Sequence, residues 1–345
     1  GLLERFGQNQ LATLVITADC GISSHEAIAQ LKSHSVDVIV TDHHSIPAEG
    51  VPTHAFTVIN PQQEGCEYPD KNIAGCFVAW LVMAAVRNIM QQTRCIKLPS
   101  LAHCLDYVTI ATISDCMDLR RSLNNRIVIK HGLKLIRKRS KPVWRALLTK
   151  YPSYLTCEFL SFKLIPLLNA DGRLNDALTA VKYLISNDLI DAQHHLAHLI
   201  DTNENRKILS ARQMEKIYQR QIDSDAIVVN LAGEGHCGIH GITANKICQE
   251  KDVPTIIFSQ SFQTGLISGS ARSPDTISLK TIFDDIDRLF PDLIEQYGGH
   301  HQAAGITLKE ENFLKFKTAF LKEVTEKAQQ KISRQLKVFS VLYGP

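Results

Sequence analysis

The sequence predicts an α/β protein: a parallel-sheet domain with a helical insertion, a long connecting helix, and a smaller second α/β domain. Three observations predict it. Short apolar runs that read as buried strands alternate with helix-period segments near both ends of the 345 residues. The middle, from about Asn72 to Arg220, is dominated by helical periodicity. Within it, residues 188–221 hold neither Gly nor Pro, and Leu and Ile recur at helical spacing.

The first strand, near 12–18, lies in Leu11-Ala-Thr-Leu-Val-Ile-Thr-Ala-Asp19-Cys-Gly21. Ser23-Ser24 opens a helix carrying Ala27, Ile28 and Leu31. The second strand, 36–41, runs from Val36 to Thr41, and a third near 55–60 follows the Pro47/Pro52 loop. A right-handed βαβ crossover places the carboxyl ends of parallel strands at one edge, where open α/β sheets bind ligands. The apolar stretch Ile73–Val86 is interrupted by Arg87 and falls short of the roughly 20 residues a membrane span requires, so it reads as a buried core helix. Helix breaks are expected near Pro99, Pro142, Pro152 and Pro166, and an Asn187-Asp188 cap starts the connecting helix. A second α/β pattern follows: a strand at 225–230, a helix at 242–251, strands at 253–258 and 263–270, a helix near 277–288 and a strand near 303–308. A charged amphipathic helix covers 309–332, and Val338–Pro345 reads as the first strand of a further segment. The expected divisions are 1–187, 188–221, 222–333 and 334–345.

Composition bounds the function loosely. A hydrophobic content of 44% supports substantial cores. A formal charge of +3 is too small to identify a nucleic-acid binder, but leaves room for a locally basic groove. Nine cysteines without a Cys-x-x-Cys pair disfavour a zinc ribbon or a disulfide framework. Reduced thiols in a cytoplasmic protein are the simpler account.

The chemistry concentrates where apolar runs end in acids. Asp42-His43-His44 closes the second strand and Asp19 closes the first. Carboxylate oxygen with imidazole nitrogen suits Mn²⁺ or Mg²⁺ better than thiol-loving ions. Taken alone, the tripeptide fits a turn with two solvated histidines equally well. Asp115, closing Tyr107–Ser114, would alone read as a helix-terminal acid; as the third member of the set it becomes a candidate ligand.

Thr17-Ala-Asp19-Cys-Gly21-Ile22, Val40-Thr-Asp42-His43-His44 and Ala111-Thr-Ile-Ser-Asp115 resemble successive motifs of the DHH phosphoesterase superfamily. Asn169-Ala-Asp-Gly-Arg173, Gly269-Ser-Ala-Arg272-Ser273 and Gly298-Gly-His300-His-Gln-Ala-Ala-Gly305 resemble later motifs of the RecJ-type single-strand-specific exonucleases, the last of them the glycine-rich signature of the DHHA1 domain. The six run in family order over nearly the whole chain. The resemblance implies a DHH domain at 1–187 and a DHHA1 domain at 222–333. It implies a 5′→3′ exonuclease of single-stranded DNA, acting in repair and recombination with two Mn²⁺ or Mg²⁺ ions. Asp19 would bridge the ions, His43 and Asp115 would ligate one, His44 would touch the scissile phosphate, and Asp42 would orient an imidazole. Asn169, Arg173, Ser270, Arg272, Ser273, Gly298, Gly299 and His300 would hold the strand. Single-strand-binding protein and a helicase are the implied protein partners, and no membrane is involved.

Two departures stand out. The family's first motif, an Asp-x-Asp pair, has no counterpart before Asp19, where Glu4 is the only acid, and the chain opens with Gly1-Leu2 rather than Met. A longer protein is therefore expected, with this piece alone weakly active or inactive. A further oligonucleotide-binding barrel is expected after residue 345. Asp171 replaces a small residue usual in the family and could pair with Arg173. The alternatives are a phosphodiesterase of short oligonucleotides or cyclic dinucleotides, and a non-catalytic DNA-binding scaffold of the same superfamily. Three other features read as structural: the His194/His195/His198 cluster, the basic run Arg137–Lys141 as a solvated face, and the loop Gly233–Gly238, in which His236 is a minor candidate.

Overall fold

Strand β1 (Leu14–Ala18), helix α1 (His25–Ser33), β2 (Asp37–Thr41) and β3 (Thr57–Ile59) form the first α/β layer. The computed structural model describes residues 12–152, 155–220, 225–261 and 263–342, with the backbone alone beyond residue 327. Gly1, Leu2, Glu4, residues 221–222 at the expected domain boundary, and 343–345 lie outside the described residues. β1 pairs with β2 and β2 with β3, all parallel, with Ala18 opposite Thr41 and Thr41 opposite Ile59. Alternation does the folding here: Val36, Val38 and Val40 point to one face and are buried with Ile28 and Leu31 of α1.

The helical insertion follows: α2 (Gly75–Arg94), α3 (Leu105–Ser114), α4 (Leu123–Arg137) and α5 (Pro142–Lys150). The expectation of a buried core helix over Ile73–Val86 needs correction. Phe77 and Val78 are buried, but Met83, Val86 and Ile89 are 48%, 50% and 58% exposed. Among the described residues the sheet of this unit has three strands, and none of their side chains covers that part of the 20-residue helix. Pro142 opens α5 at a first-turn position, where its missing N–H costs nothing. Pro166 does not break its helix. A π-helical turn, Leu160–Leu164, leads into α6 (Ile165–Leu174), and such turns accommodate an interrupted hydrogen-bond ladder. α7 (Leu178–Leu184) follows, then α8 (Leu189–Tyr218), whose start is capped by the Asp188 carboxylate accepting the Asp191 N–H at 2.9 Å. Two residues expected to be solvated are structural. Lys141 meets buried Asp106 at 2.7 Å and lies over the Tyr107 ring, and Arg137 donates to the Leu155 carbonyl.

Beyond α8 come β4 (Ile227–Asn230), α9 (Cys237–Lys251), β5 (Thr255–Gln260), β6 (Leu266–Arg272), α10 (Leu279–Leu289), β7 (Gln296–Gly299), β8 (Ala303–Lys309) and α11 (Phe313–Leu342). The sheet order is β4-β5-β6-β8-β7, parallel only at β4–β5. The strand expected from Val338 is helical as far as Leu342, since the amphipathic period of α11 carries straight into it. Gly298-Gly299 lie in edge strand β7, which the sequence pattern did not mark, in register with Gly305 and Ala304. One face of this sheet packs Phe258, Ala271 and Ile306 against Phe283, Phe316 and Phe320 of α10 and α11.

The chain divides into two compact units: Gly1–Leu168 with Ala180–Ala197, and Asn169–Thr179 with His198–Pro345. The dividing points fall inside α6, α7 and α8, so Asn169 and Arg173 belong to the second unit. All nine cysteines are free. Among the described residues, no helix is long and apolar enough to cross a membrane.

Asp106 offers a test of the first unit. Its carboxylate is 1% exposed and accepts from Lys141 and, at 2.6 Å, from Trp144 Nε1. Asp106→Ala strands a cation and an indole N–H, and should cost about 3 kcal/mol in urea denaturation.

Candidate metal centre and phosphate-binding face

In the first unit the site begins with strand register. The Asp19 N–H donates to the Thr41 carbonyl at 3.0 Å, and the Thr41 hydroxyl donates to the Thr17 carbonyl at 2.6 Å. These bonds tie the ends of β1 and β2 together just where both strands stop. Asp19 adopts φ +64°, a conformation Asp tolerates better than most residues, and this turns its side chain out of the strand.

Asp42 is 1% exposed and ties the site together. Its Oδ2 accepts the Ile22 N–H at 3.0 Å, and its Oδ1 accepts the His43 and His44 N–H groups at 2.7 and 3.2 Å. The same Oδ1 lies 2.7 Å from His44 Nδ1. Burial pushes the Asp42 carboxyl pKa up, but the His44 ring and the three backbone donors outweigh it, and the carboxyl is held below its ordinary value. An ionised carboxylate can only accept, so Nδ1 of His44 carries the proton. His44 itself is 54% exposed.

His43 lies between two acids. Its Nε2 is 3.2 Å from Asp19 Oδ1 and 3.1 Å from Asp115 Oδ2, with only 10% of the side chain exposed. Asp115 sits at the carboxyl end of α3, the helix-terminal position its sequence context suggested. Although close, neither carboxylate lies where the ring N–H could point at it, and Nε2 is buried without a hydrogen-bond partner. Asp115 and Asp19 raise the His43 pKa to about 10 against the opposing effect of burial, and His43 in turn lowers that of Asp115. Two carboxylates facing an unpartnered ring nitrogen form a donor set for a hard divalent cation. Asp19, His43 and His44 offer atoms within 4.8 Å of one another, and among the described residues no other set of three or more acid, imidazole or thiol groups converges this way. His194, His195 and His198 therefore form no such cluster.

Gly75 was not foreseen. A Cβ there would fall 2.2 Å from Asp19 Oδ1 and 2.7 Å from its Cα, so only glycine lets α2 begin against Asp19. Nothing in the sequence marks it beyond its position at a helix start.

The second unit gathers the phosphate candidates. Ser270, Gly305 and Gly298 are directly paired across β6, β8 and β7, so they share one face, opposite the aromatic core. A Cβ at Gly298 or Gly305 would meet nothing within 4 Å. This leaves a bare polar platform beside Ser270. Gly299 at φ +143° is glycine for another reason: a Cβ would strike the Ala303 carbonyl at 2.4 Å. His300 is exposed just past β7, and its N–H donates to the Ala303 carbonyl. Arg272 ends β6 on the Ser270 face, with its guanidinium over Gly241 of α9. Arg173 is exposed and its charge acts on Arg272, and a third guanidinium, Arg206 of α8, was not foreseen. Burial and the neighbouring Arg173 charge pull the pKa values of both Arg206 and Arg272 below the usual value. Arg206 is steadied by Asn203 at 3.0 Å. Asn169 is exposed one helical turn before Arg173. Asp171 is fully buried and accepts from the Asn175 side chain at 3.0 Å. Ser273 is 6% exposed, and its hydroxyl has no partner. His236 caps α9 through Gly238.

Comparison with known proteins places these sites in context. A family model described as the DHH family, N-terminal domain, matches residues 3–112, and one described as the DHHA1 domain matches residues 223–330. The chain is 36% identical over 331 residues to the single-stranded-DNA-specific exonuclease RecJ of Salmonella typhimurium, covering 91% of this chain and 56% of that protein. It is 31% identical to the protein of the same name from Bacillus subtilis, covering 90% and 39%. The chain thus spans about half the length, or less, of the curated relatives it matches. Among solved structures, RecJ in complex with Mn²⁺ from Thermus thermophilus superposes with a TM-score of 0.78 at 29% identity, covering 91% of this chain and 45% of that one. RecJ in complex with Mg²⁺ from the same organism gives 0.72 at 28%, covering 91% and 44%.

Two outcomes follow. Gly75→Ala should displace Asp19 and weaken Mn²⁺ affinity by about 10- to 100-fold, as loss of a supporting contact does at other metal sites, which calorimetric titration would read. In chelator-treated protein, His43 has a folded pKa of about 10 against an ordinary 6.5. Its pairing with Asp19 and Asp115 therefore stabilises fully below pH 6.5 and is lost as pH rises through about 10. Denaturation midpoints should fall across that window, and His43→Gln should flatten the fall.

Proposed function

The chain belongs to the DHH–DHHA1 phosphoesterase superfamily on its RecJ-like branch, and from that premise we propose that the protein hydrolyses phosphodiester bonds of single-stranded DNA from an end, using Mn²⁺ or Mg²⁺. One observation supports the reading: Asp19 Oδ1 and Asp115 Oδ2 lie 3.2 and 3.1 Å from the same ring atom, His43 Nε2, and Asp19, His43 and His44 offer ligand atoms within 4.8 Å of one another. Polarity from 5′ to 3′ rests on the family resemblance alone.

The donor set supports the choice of ion. Two carboxylates and one imidazole suit Mn²⁺ or Mg²⁺, and the orphaned His43 Nε2 is the ring atom that would ligate. Such ions, when bound, supply an activated water and neutralise charge on the phosphoryl oxygens. Asp19, His43 and Asp115 are the residues that would hold the ion, and His43 would bind it as the neutral imidazole. Asp42 fixes the ring plane of His44 through Nδ1, so the exposed Nε2 edge would face a phosphoryl oxygen of the scissile group.

In the second unit, Ser270, Arg272, Arg173 and His300 hold the sugar-phosphate backbone over the Gly298–Gly305 platform, with Gly299 shaping its rim and Asn169 and Ser273 beside it. Guanidiniums match phosphate geometry bidentately, and bare glycines let a backbone approach closely. Such a surface reads backbone rather than sequence. A single-strand-binding protein and a helicase would present this kind of strand, and nine free thiols accord with a reducing cytoplasm.

The test is shortening of an end-labelled single strand by the full-length protein that contains this chain, with Mn²⁺, with Mg²⁺ and with chelator. Metal-dependent shortening is expected. His43→Ala and Asp115→Ala should each reduce kcat by at least the ~10- to 100-fold that loss of a metal-supporting contact costs. Equal shortening with chelator, or none with either metal, would refute the reading.

A further inference from the structure

A polar cleft in the second unit lies beyond the groups that hold backbone phosphate. It encloses about 500 Å³, within the range of small-molecule sites. Asn245 and Gln249 line it from one face of α9, Asp252 from the residue just after that helix, and Ser273 and Asp275 from the loop after β6. Gln302 closes it at the start of β8, and Arg272 stands in its wall, so the cleft adjoins the Ser270 platform.

Three features narrow what it takes. The Ser273 hydroxyl is buried and unpartnered in a residue only 6% exposed, although its backbone N–H is bound to the Gln302 carbonyl at 3.0 Å. A buried hydroxyl without a partner is costly, and a ligand that bonds to it removes that cost. The charges come next. One guanidinium faces two carboxylates, Asp252 and Asp275, among three carboxamides. That lining is net negative away from Arg272 and disfavours a second phosphate. Finally, the cleft contributes no set of three converging metal donors among the described residues. What remains is a neutral, hydrogen-bonding group whose N–H donors meet carboxylates and carboxamides, joined to an anion at Arg272. A nucleobase on its nucleotide has that form. Carboxylates accept from the amino group of cytosine, which thymine lacks.

We propose that this cleft receives the base of the nucleotide whose phosphate lies at Ser270 and Arg272, and that it favours a base with an exocyclic amino group over thymine. The proposal rests on the nuclease reading for the presence of a nucleotide there, and adds a base preference to it.

The experiment is calorimetric binding of dCMP, dTMP and inorganic phosphate to the full chain in chelator, alongside the strand-shortening assay. dCMP should bind about tenfold more tightly than dTMP. Asp252→Asn and Asp275→Asn should bring the ratio towards one. Both positions are exposed, and Asn is well suited to the φ of +55° at residue 252. Equal affinity for the two nucleotides, or binding no tighter than that of phosphate, overturns the base cleft. If strands are still shortened, the nuclease reading survives that failure. If nothing binds and no strand is shortened, both fall.

Discussion

The carboxylate of Asp42 is the constraint on which the first unit's chemistry depends. Buried, ionised and filled by donors from Ile22, His43 and His44, it joins the loop after β1 to the loop after β2. Without that junction the two strands would still pair, but nothing would hold the imidazoles at the sheet's carboxyl edge. His43 would lose its place between Asp19 and Asp115, and His44 would lose its ring orientation. An acid with this many donors stays charged in the interior, so the junction persists across physiological pH.

The second unit solves a different problem. One face of its sheet is dry against the aromatic core; on the other, β4 and β5 bury Ile227, Val229 and Ile257 against Ile217 and Ile247, and only the antiparallel β6–β8–β7 part carries small residues. Phe258, Gly269 and Ile306 are paired in one row beneath α10 and α11, while Ser270, Gly305 and Gly298 are paired in the next, facing the other way. Gly269 serves the core side, where a Cβ would fall 2.7 Å from the Phe258 ring. Glycines on the two faces therefore act oppositely: one makes room for packing, the others keep a surface bare.

How far the sequence spoke depended on whether a residue's role was local. Asp19 and Asp42 announced themselves because each ends a β-period apolar run, and the strands formed within two or three residues of the expected limits. Asp115 also ends an apolar run, but that run is an evenly hydrophobic helix, whose pattern does not tell helix from strand. Gly75 and Arg206 stayed silent. Gly75 matters through an absent Cβ against a residue far away in the chain. Arg206 resembles any charge on a solvated helix until Arg173 and Arg272 are folded beside it. β7 was missed because Gln296-Tyr-Gly-Gly299 has poor strand propensity; pairing with β8 overrides it. Pro166 misled for a related reason, since a π turn can accommodate what a regular ladder cannot.

The crowding of Arg173, Arg206 and Arg272 changes the nature of binding at that face. Three like charges held close together attract small anions from solution, so the strand proposed above would not simply dock there. It would exchange places with a local ion atmosphere and shed one of its own, and mixing entropy would drive the exchange. Occupancy of the face is then set by the ionic composition of the medium as much as by contact geometry, and the protein acts there as a miniature anion exchanger.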